Sequence, residues 1–470
     1  TPDLFWDELY DGMDCISEIP KERYNLNDYY DADTTVPGTM NSKWGGFLTD
    51  GVDMFDPLFF GISPREAVSM DPQQRLLMET AWETMESAGL APNPNVAEPI
   101  GVFMGATTFD YQLRKARIPY AEVDSFWGTG SSNSVTAGRI SYTFGYNGPC
   151  LACDTACSSA LVAMDLATKS VRSGTSEMAL AGGVSLLIEP DLTINFSKAG
   201  MMSVDGRCHT FDAHANGYVR GEGAGCMLVA LLSKAQESGA HIYSLVRGTA
   251  INQDGRSSGL TVPNGPSQQQ VVRKALADGS LTPLDVGYIE AHGTGTPLGD
   301  PIEVNSLVQC LGQDRALPLV IGAVKTNIGH LEGAAGIAGL LKLSMVLAHG
   351  EIPENLRFKK LNPSIDFEDV PIIIPNKLTQ FPSGYSSRVG GVSSFGFSGT
   401  NGHVVMEEAP AHAKATGGLA RNQHVMALAA FSPQGLSALA GRIADYMEAN
   451  PRVRVADVCH AANTRGAFNY

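Results

Sequence analysis

The sequence predicts a layered α/β fold, and three observations carry that prediction. Apolar segments of strand length, such as 100–104 and 178–187, alternate with longer segments of helical periodicity. Two of the later strands run straight into Gly-rich loops that each bear a histidine. The second half, from about Ala250, repeats the style of the first, although no short-period repeat is visible.

Taken in order, residues 1–50 are rich in Asp, Tyr and turn formers and read as largely surface structure. A helix is predicted from Pro72 to about Ala88, with Leu76, Leu77, Ala81 and Met85 on one side and Gly89 as its stop. The strand Ile100–Met104 follows. The segment GPCLACDTACSSALVAMDLATKSVRSG then joins a short apolar stretch to a helix that Asp154 or Thr155 could cap, ending near Arg172 with Gly174 beyond. A strand spans Met178–Leu187, and residues 223–235 form another that leads into a turn or helix. In the second half, strands at 286–291 and 319–324 precede the histidine loops, and a helix covers about Gly333–Leu347. Strands near Val389–Ser394 and Val404–Glu408 flank the loop SSFGFSGTNG. These elements divide the chain into 1–249, 250–410 and 411–470. The last part opens with a polar Gly/Ala-rich linker at 411–424. An amphipathic helix follows, with Leu436, Leu439, Ile443 and Met447 at helical spacing. Both ends read as cuts within something longer.

Bulk composition narrows the function. The 470 residues are 43% hydrophobic, enough for a large core, and only 17% charged. With 51 glycines and 26 prolines, this reads as a compact enzyme with many tight turns rather than a disordered or fibrous chain. A net charge of −16 argues against a nucleic-acid or membrane-surface binder, and an acidic partner would need a local basic patch. Eight scattered cysteines favour free thiols in a reducing, cytoplasmic setting. No apolar run reaches transmembrane length.

Four features carry chemistry. Cys157, in DTACSSA, stands between an apolar segment and a helix start, where the helix dipole lowers a thiol's pKa. On location alone, a small buried cysteine is an equally good reading. Cys150 and Cys153 have zinc-like spacing, but no second Cys/His pair follows, so no metal is expected. His292 in EAHGTGTPLGDPIE and His330 in KTNIGHLEGAAGIAG both follow strand ends, where α/β folds gather chemistry. The remaining histidines lack that pairing and read as structural or surface residues. The loop GFSGTNG suits close backbone approach, with N–H groups aimed at an oxyanion. No phosphate-binding GxxxxGK[ST] loop is present, which argues against nucleotide use.

With these residues together, the sequence resembles the ketosynthase domains of type I polyketide synthases and, more distantly, the β-ketoacyl-carrier-protein synthases of fatty-acid synthesis. The resemblance rests on FDPLFFGISPREAVSMDPQQRLLMETAWE, GRISYTFGYNGP, DTACSSAL, YVRGEGAG, NQDGRSSGLTVPNGPSQ, EAHGTGTPLGDPIE, KTNIGHLEGAAGIAGLLK and SSFGFSGTNGHVVMEE, in family order over about 1–410. It implies a thiolase-like fold of two similar halves in five α-β-α-β-α layers, as a homodimer. Residues 411–470 are similar to the linker that leads to an acyltransferase domain. Carried over, Cys157 is the acyl-accepting nucleophile, and His292 and His330 complete a Cys-His-His triad. Lys325 matches the family's lysine, and Thr294 and Thr296 match threonines that contact a phosphopantetheine arm. Phe397 matches a gating residue whose N–H pairs with that of Cys157. The implied reaction is decarboxylative condensation of a Cys-bound acyl chain with a malonyl-type extender. The phosphopantetheine belongs to a partner acyl carrier protein, and no cofactor of this domain's own is expected. Cys150 and Cys153 depart from the family pattern and are expected to be buried and inert. The strand that usually opens the family has no counterpart ahead of Thr1.

Rival readings fit less well. A degradative thiolase would carry a second cysteine within 389–408, and none is there. A chalcone-synthase-type enzyme would have Asn in place of His330. A non-elongating or scaffold-type ketosynthase would be expected to lack the nucleophile or a histidine, and all three are present.

Overall fold

A computed structural model describes residues 1–411, 421 and 423–465. The linker read at 411–424, with His412, lies almost wholly outside them. Two β-sheets organise the described residues. The first contains β1 (Ile100–Ala106), β2 (Cys150–Cys153), β3 (Met178–Ser185) and β4 (Gly223–Ala230) in the order β2-β1-β3-β4. β1 pairs in parallel with β2 and β3, and β4 runs antiparallel to β3. The second contains β5 (Ser244–Gln253), β6 (Tyr288–Glu290), β7 (Leu319–Gly322), β8 (Ile372–Ile373), β9 (Val389–Phe395) and β10 (Thr400–Glu408), in the order β8-β7-β6-β9-β10-β5. Here β6 pairs in parallel with β7 and β9, and β10 is antiparallel to β9. The four-strand pattern of the first sheet thus recurs within the second. Ala250, the expected start of the second half, lies inside β5.

The principal helices are α1 (Pro2–Tyr10), α2 (Pro72–Ser87), α3 (Asn133–Phe144), α4 (Ser159–Arg172), α5 (Asp191–Lys198), α6 (Gly265–Asp278), α7 (Gly299–Leu311), α8 (Ala335–His349), α9 (Pro433–Ala449) and α10 (Val455–Arg465). α4 and α8 lie between the sheets and touch both, α2 and α3 cover the outer face of the first, and α6 with α7 covers the outer face of the second. The result is the expected five-layer α-β-α-β-α stack. The central layer is mostly apolar because it meets water only near its helix ends, as at Lys169 and Arg172 of α4. α8 buries Ile337, Leu340, Leu343, Val346 and Leu347, and α4 buries Leu161, Ala163, Met164 and Ala167. Lys342 is the exception in α8, fully buried but 2.9 Å from Glu290. Separate apolar clusters fill the spaces beneath the outer layers.

One local expectation holds and another is corrected. Residues 1–50 are largely surface, as expected, with Trp6 and Leu9 of α1 among the exceptions: both join the central core, and Trp6 stacks on His349 with ring centroids 4.3 Å apart. The helix beyond Cys157 begins at Ser159, after Ser158, and neither Asp154 nor Thr155 caps it. Asp154 instead accepts from the Ala156 amide in a tight turn. The α2 and Gly89 expectation holds, with Gly89 in the left-handed region at φ 77°. α9 forms where its periodicity placed it, and none of its residues is buried. No helix among the described residues is long and apolar enough to cross a membrane.

Candidate active site

Cys157 lies in the turn between β2 and α4. Ala156 adopts φ 57°, a left-handed conformation that non-glycine residues avoid, and it reverses the chain just before the cysteine. Hydroxyls hold this turn. Ser159 Oγ accepts from the Thr155 amide at 2.8 Å and donates to the Ala156 carbonyl at 2.7 Å, and Ser394 Oγ on β9 donates to the Cys157 carbonyl at 2.9 Å. A Cβ at Gly396 would lie 2.3 Å from the Thr155 carbonyl oxygen, so the loop between β9 and β10 can approach this closely only with glycine there. That approach brings the Phe397 amide to the cysteine. The amides of Phe397 and of Cys157 itself both lie near enough to the sulfur to favour its ionised form. The Phe397 ring is half-exposed and leans on Phe196 at 6.4 Å.

The expected lowering of the thiol pKa is not what the environment imposes. Burial pushes Cys157 up to about 12 and the Glu332 carboxylate adds to it, while Lys325 and the two amides pull the other way. The reason is local: the cysteine precedes the first helical residue by two positions, and although the residue is only half-buried its sulfur is desolvated by the packed layers around it.

His330 reaches the sulfur and His292 stands close to both. His330 Nε2 is 3.2 Å from Cys157 Sγ, and His330 Nδ1 accepts from the Glu332 amide at 3.0 Å. A neutral ring that accepts at Nδ1 carries its proton on Nε2, so His330 presents a donor to the cysteine. The His292 and His330 rings meet edge to face at 5.4 Å. Burial, with Lys325 close by, holds both histidines well below 6.5, so both are neutral at physiological pH. His292 Nδ1 is buried without a hydrogen-bond partner among the described residues. One ligand atom each from Cys157, His292 and His330 fall within 4.8 Å of one another. Cys150 and Cys153 take no part in that group. Cys153 is buried and its thiol is pushed up to about 11, but Cys150 is exposed because β2 is an edge strand, which corrects the expectation that both are buried.

Lys325 is buried beneath the histidines, next to Glu290 and Glu303, and desolvation lowers its pKa. Thr294 and Thr296 stand in the loop after His292, with hydroxyls 3.2 Å apart. Thr296 Oγ1 also accepts from the Gly299 amide at the start of α7. All seven residues singled out by sequence therefore lie at or next to one site. Three more did not stand out in the sequence. Glu303 accepts from the amides of His292 and Gly293 at 2.7 and 2.8 Å, and Asp300 accepts from the amides of Phe211 and Gly295 at 2.7 and 3.0 Å. Burial pushes Asp300 up to about 6 and Glu303 to about 7. Ser394 is the third. The signal for the two acids was present in GDPIE: carboxylates three apart in the first turns of a helix, just after a Gly-rich loop, are placed to gather that loop's amides.

Comparison with known proteins places the chain in a family. The family model for the β-ketoacyl synthase N-terminal domain matches residues 1–235, that for the C-terminal domain matches 243–359, and the ketoacyl-synthetase C-terminal extension matches 362–470. Two different phenolphthiocerol/phthiocerol polyketide synthase polypeptides of Mycobacterium tuberculosis are 45% and 47% identical to this chain, each over 98% of it. The chain spans only 30% and 22% of those two proteins. Among solved structures, an oxazolomycin ketosynthase domain of Streptomyces albus JA3453 superposes with a TM-score of 0.90 at 36% identity, covering 98% of this chain and 81% of that one. The ketosynthase from module 6 of the bacillaene synthase of Bacillus subtilis 168 gives 0.87 at 34%, covering 99% and 77%. The chain belongs to the β-ketoacyl synthase family, as a ketosynthase domain of the polyketide synthase type.

Proposed function

We propose that this domain elongates an acyl chain by decarboxylative Claisen condensation, with Cys157, His292 and His330 as its catalytic residues. The observation that carries the reading is the donor face of His330 set 3.2 Å from the Cys157 sulfur. In the first step the cysteine sulfur attacks the thioester of an acyl carrier protein. The carbon–sulfur bond to the carrier's phosphopantetheine breaks, and the cysteine proton ends on the departing carrier thiol. In the second step a malonyl-type thioester loses CO2, and the released electron pair becomes an enolate. His292 and His330, both neutral, donate hydrogen bonds to the enolate oxygen. The enolate carbon then attacks the Cys157 acyl carbonyl, whose oxyanion is held by the amides of Phe397 and Cys157. Collapse expels the cysteine sulfur, which takes up one proton, and leaves a β-ketoacyl thioester on the carrier. Burial keeps the histidines neutral and the charge of Lys325 adds to it, while Thr294 and Thr296 flank the path of the pantetheine arm.

The homodimer belongs to the same proposal. Tyr120, Tyr142, Leu151 and Val123 are 98%, 88%, 47% and 45% exposed. They lie along β2, α3 and the segment before it, beside an edge strand whose outer backbone groups no other described strand pairs. An exposed apolar face beside an open sheet edge suits pairing with a second copy. The division into halves is also ours, and the two sheets favour a seam between β4 and β5 over one at Ala250. A carrier protein and an adjacent acyltransferase are the partners that the family and its C-terminal extension support.

The test is intact-protein mass spectrometry after incubation with an acyl thioester. The protein gains one acyl mass and Cys157→Ala gains none. Stable acylation of Cys157→Ala would sink the assignment.

A further inference from the structure

One residue pair next to the site takes no part in the condensation itself. Arg220 is 1% exposed, and its guanidinium forms a fork with the Glu332 carboxylate, Nη2 lying 3.0 Å from Oε2 and Nε bonding Oε1. Its remaining nitrogen donates to Thr193 Oγ1 at 2.8 Å. The backbone around Arg220 brackets His330: the His330 amide donates to the Val219 carbonyl at 2.7 Å, and the Gly221 amide donates to the His330 carbonyl at 2.9 Å. The segment His330–Glu332 is therefore gripped twice, through the main chain of Val219 and Gly221 on either side of Arg220 and through the Arg220 side chain.

Glu332 itself is unusual. Its φ is 45°, in the left-handed region, where a glutamate gains nothing locally and a glycine or asparagine would be at ease. This conformation lets the carboxylate reach Arg220 while the amide of the same residue turns back to His330 Nδ1. Main-chain bonds hold the flanks of this turn, the Ala334 amide donating to the Leu331 carbonyl at 2.8 Å, but the fork is the side-chain contact that favours a glutamate in that backbone, and without it the Glu332 amide is held less firmly on His330 Nδ1. A neutral imidazole whose Nδ1 has lost its donor is free to move its proton to Nδ1, and Nε2 would then face Cys157 as an acceptor.

We infer that Glu332 is a positioning residue: clamped by Arg220, it holds a left-handed backbone whose amide fixes the tautomer of His330, so that Nε2–H stays aimed at Cys157 and at the enolate. The inference deepens the proposed reaction and rests on the reading of His330 as a hydrogen-bond donor in it. The guanidinium also lies 5.4 Å over the Phe196 ring, which in turn touches Phe397, so the same clamp borders the amide pair of the oxyanion site.

The test combines kinetics with nitrogen-15 spectra of histidine-labelled protein, which report which ring nitrogen bears the proton. His330 is identified by the signal that His330→Ala removes. In wild type His330 is the Nε2–H form. In Glu332→Ala, and in Arg220→Met combined with Glu332→Met, the signal changes to a mixture. Malonyl-thioester decarboxylation then falls in kcat by about 10- to 100-fold with KM within about twofold, as when a catalytic imidazole takes the wrong tautomer. Glu332→Gln, which still accepts from Arg220, recovers most of the loss. If Glu332→Ala does not fold, the double variant decides, because it leaves no charge buried alone. A folded double variant with wild-type kcat overturns the inference, as does one whose kcat falls while the His330 tautomer is unchanged. His330→Ala that still condenses would instead overturn the proposed reaction, and the spectra would continue to test the clamp.

Discussion

Replacing Gly105 by alanine probes how the two halves of the site are spaced. Gly105 is on β1, where the first sheet comes closest to the central layer. A Cβ there would lie 2.8 Å from the Ala160 nitrogen, 2.9 Å from the Ser159 carbonyl carbon and 2.9 Å from the Gly333 carbonyl oxygen. All three are backbone atoms, so no side chain can rotate out of the way. Ordinary contacts of this kind need about 3.5 Å, which leaves a shortfall of roughly 0.6 Å. Overpacking of this sort costs about 1–3 kcal/mol. With an unfolding entropy near 2.1 cal/mol/K per residue over 470 residues, that is a fall in Tm of about 1–3 °C. The effect on rate is larger. The Ser159 segment carries Cys157 and the Gly333 segment carries His330, so a wedge between them and β1 moves both reacting groups. Since a 1 Å misplacement can cost ~100-fold, a shift of about half that predicts roughly a tenfold slower condensation. Differential scanning calorimetry and timed acyl loading measure the two effects, with Gly441→Ala on α9 as control, where an added Cβ meets nothing within 4 Å. Gly105→Ala with wild-type melting and wild-type rate would overturn this account of the spacing.

Other consequences are open to measurement. His292 and His330 have pKa values held well below 6.5, so each is already neutral at pH 6 and gains its proton only in stronger acid. The malonyl-thioester decarboxylation rate should therefore show no histidine inflection between about pH 6 and 8, and an inflection near 6.5 would count against neutral donors. Glu303→Ala leaves the His292 and Gly293 amides without their acceptor, at about 1–3 kcal/mol for each buried group. Decarboxylation should fall about 10- to 100-fold while acyl loading of Cys157 persists. Leu151→Lys, at the open edge of the first sheet, should convert a dimer to monomer in sedimentation velocity. The same variant should expose Cys150 to maleimide, whereas in a wild-type dimer that thiol should be protected.

The elements of this fold were legible wherever one period dominates over its full length. α2 ends at the glycine that its pattern predicted, and β1 and β3 stand on runs of apolar residues too short for a helix. Cys157, His292 and His330 were legible because strand ends and Gly-rich loops mark where backbone must pass close to something. What escaped notice depends on partners far away in sequence. Trp6 looks like a surface aromatic until His349 stacks on it. Arg220 and Glu332 are ordinary charged residues in a turn-rich stretch, and only the fold makes them a buried fork. The cysteine's environment was misread for a related reason: a helix start was inferred correctly in kind, but the two-residue offset and the burial of the sulfur arise from layers stacking, which local sequence does not encode.

The placement of α4 and α8 between the two sheets has a consequence for how the site fails. Cys157 sits just ahead of one central helix and His330 just ahead of the other. Amide hydrogens in the buried turns of these helices should exchange through global opening rather than local breathing, because both sheets cover them. The reacting groups are therefore tied to the slowest-exchanging part of the molecule, while the Phe397 side chain is half-exposed on the loop between β9 and β10. On heating, loss of activity should track cooperative unfolding closely, with no earlier stage in which the fold survives and the cysteine and histidine have drifted apart.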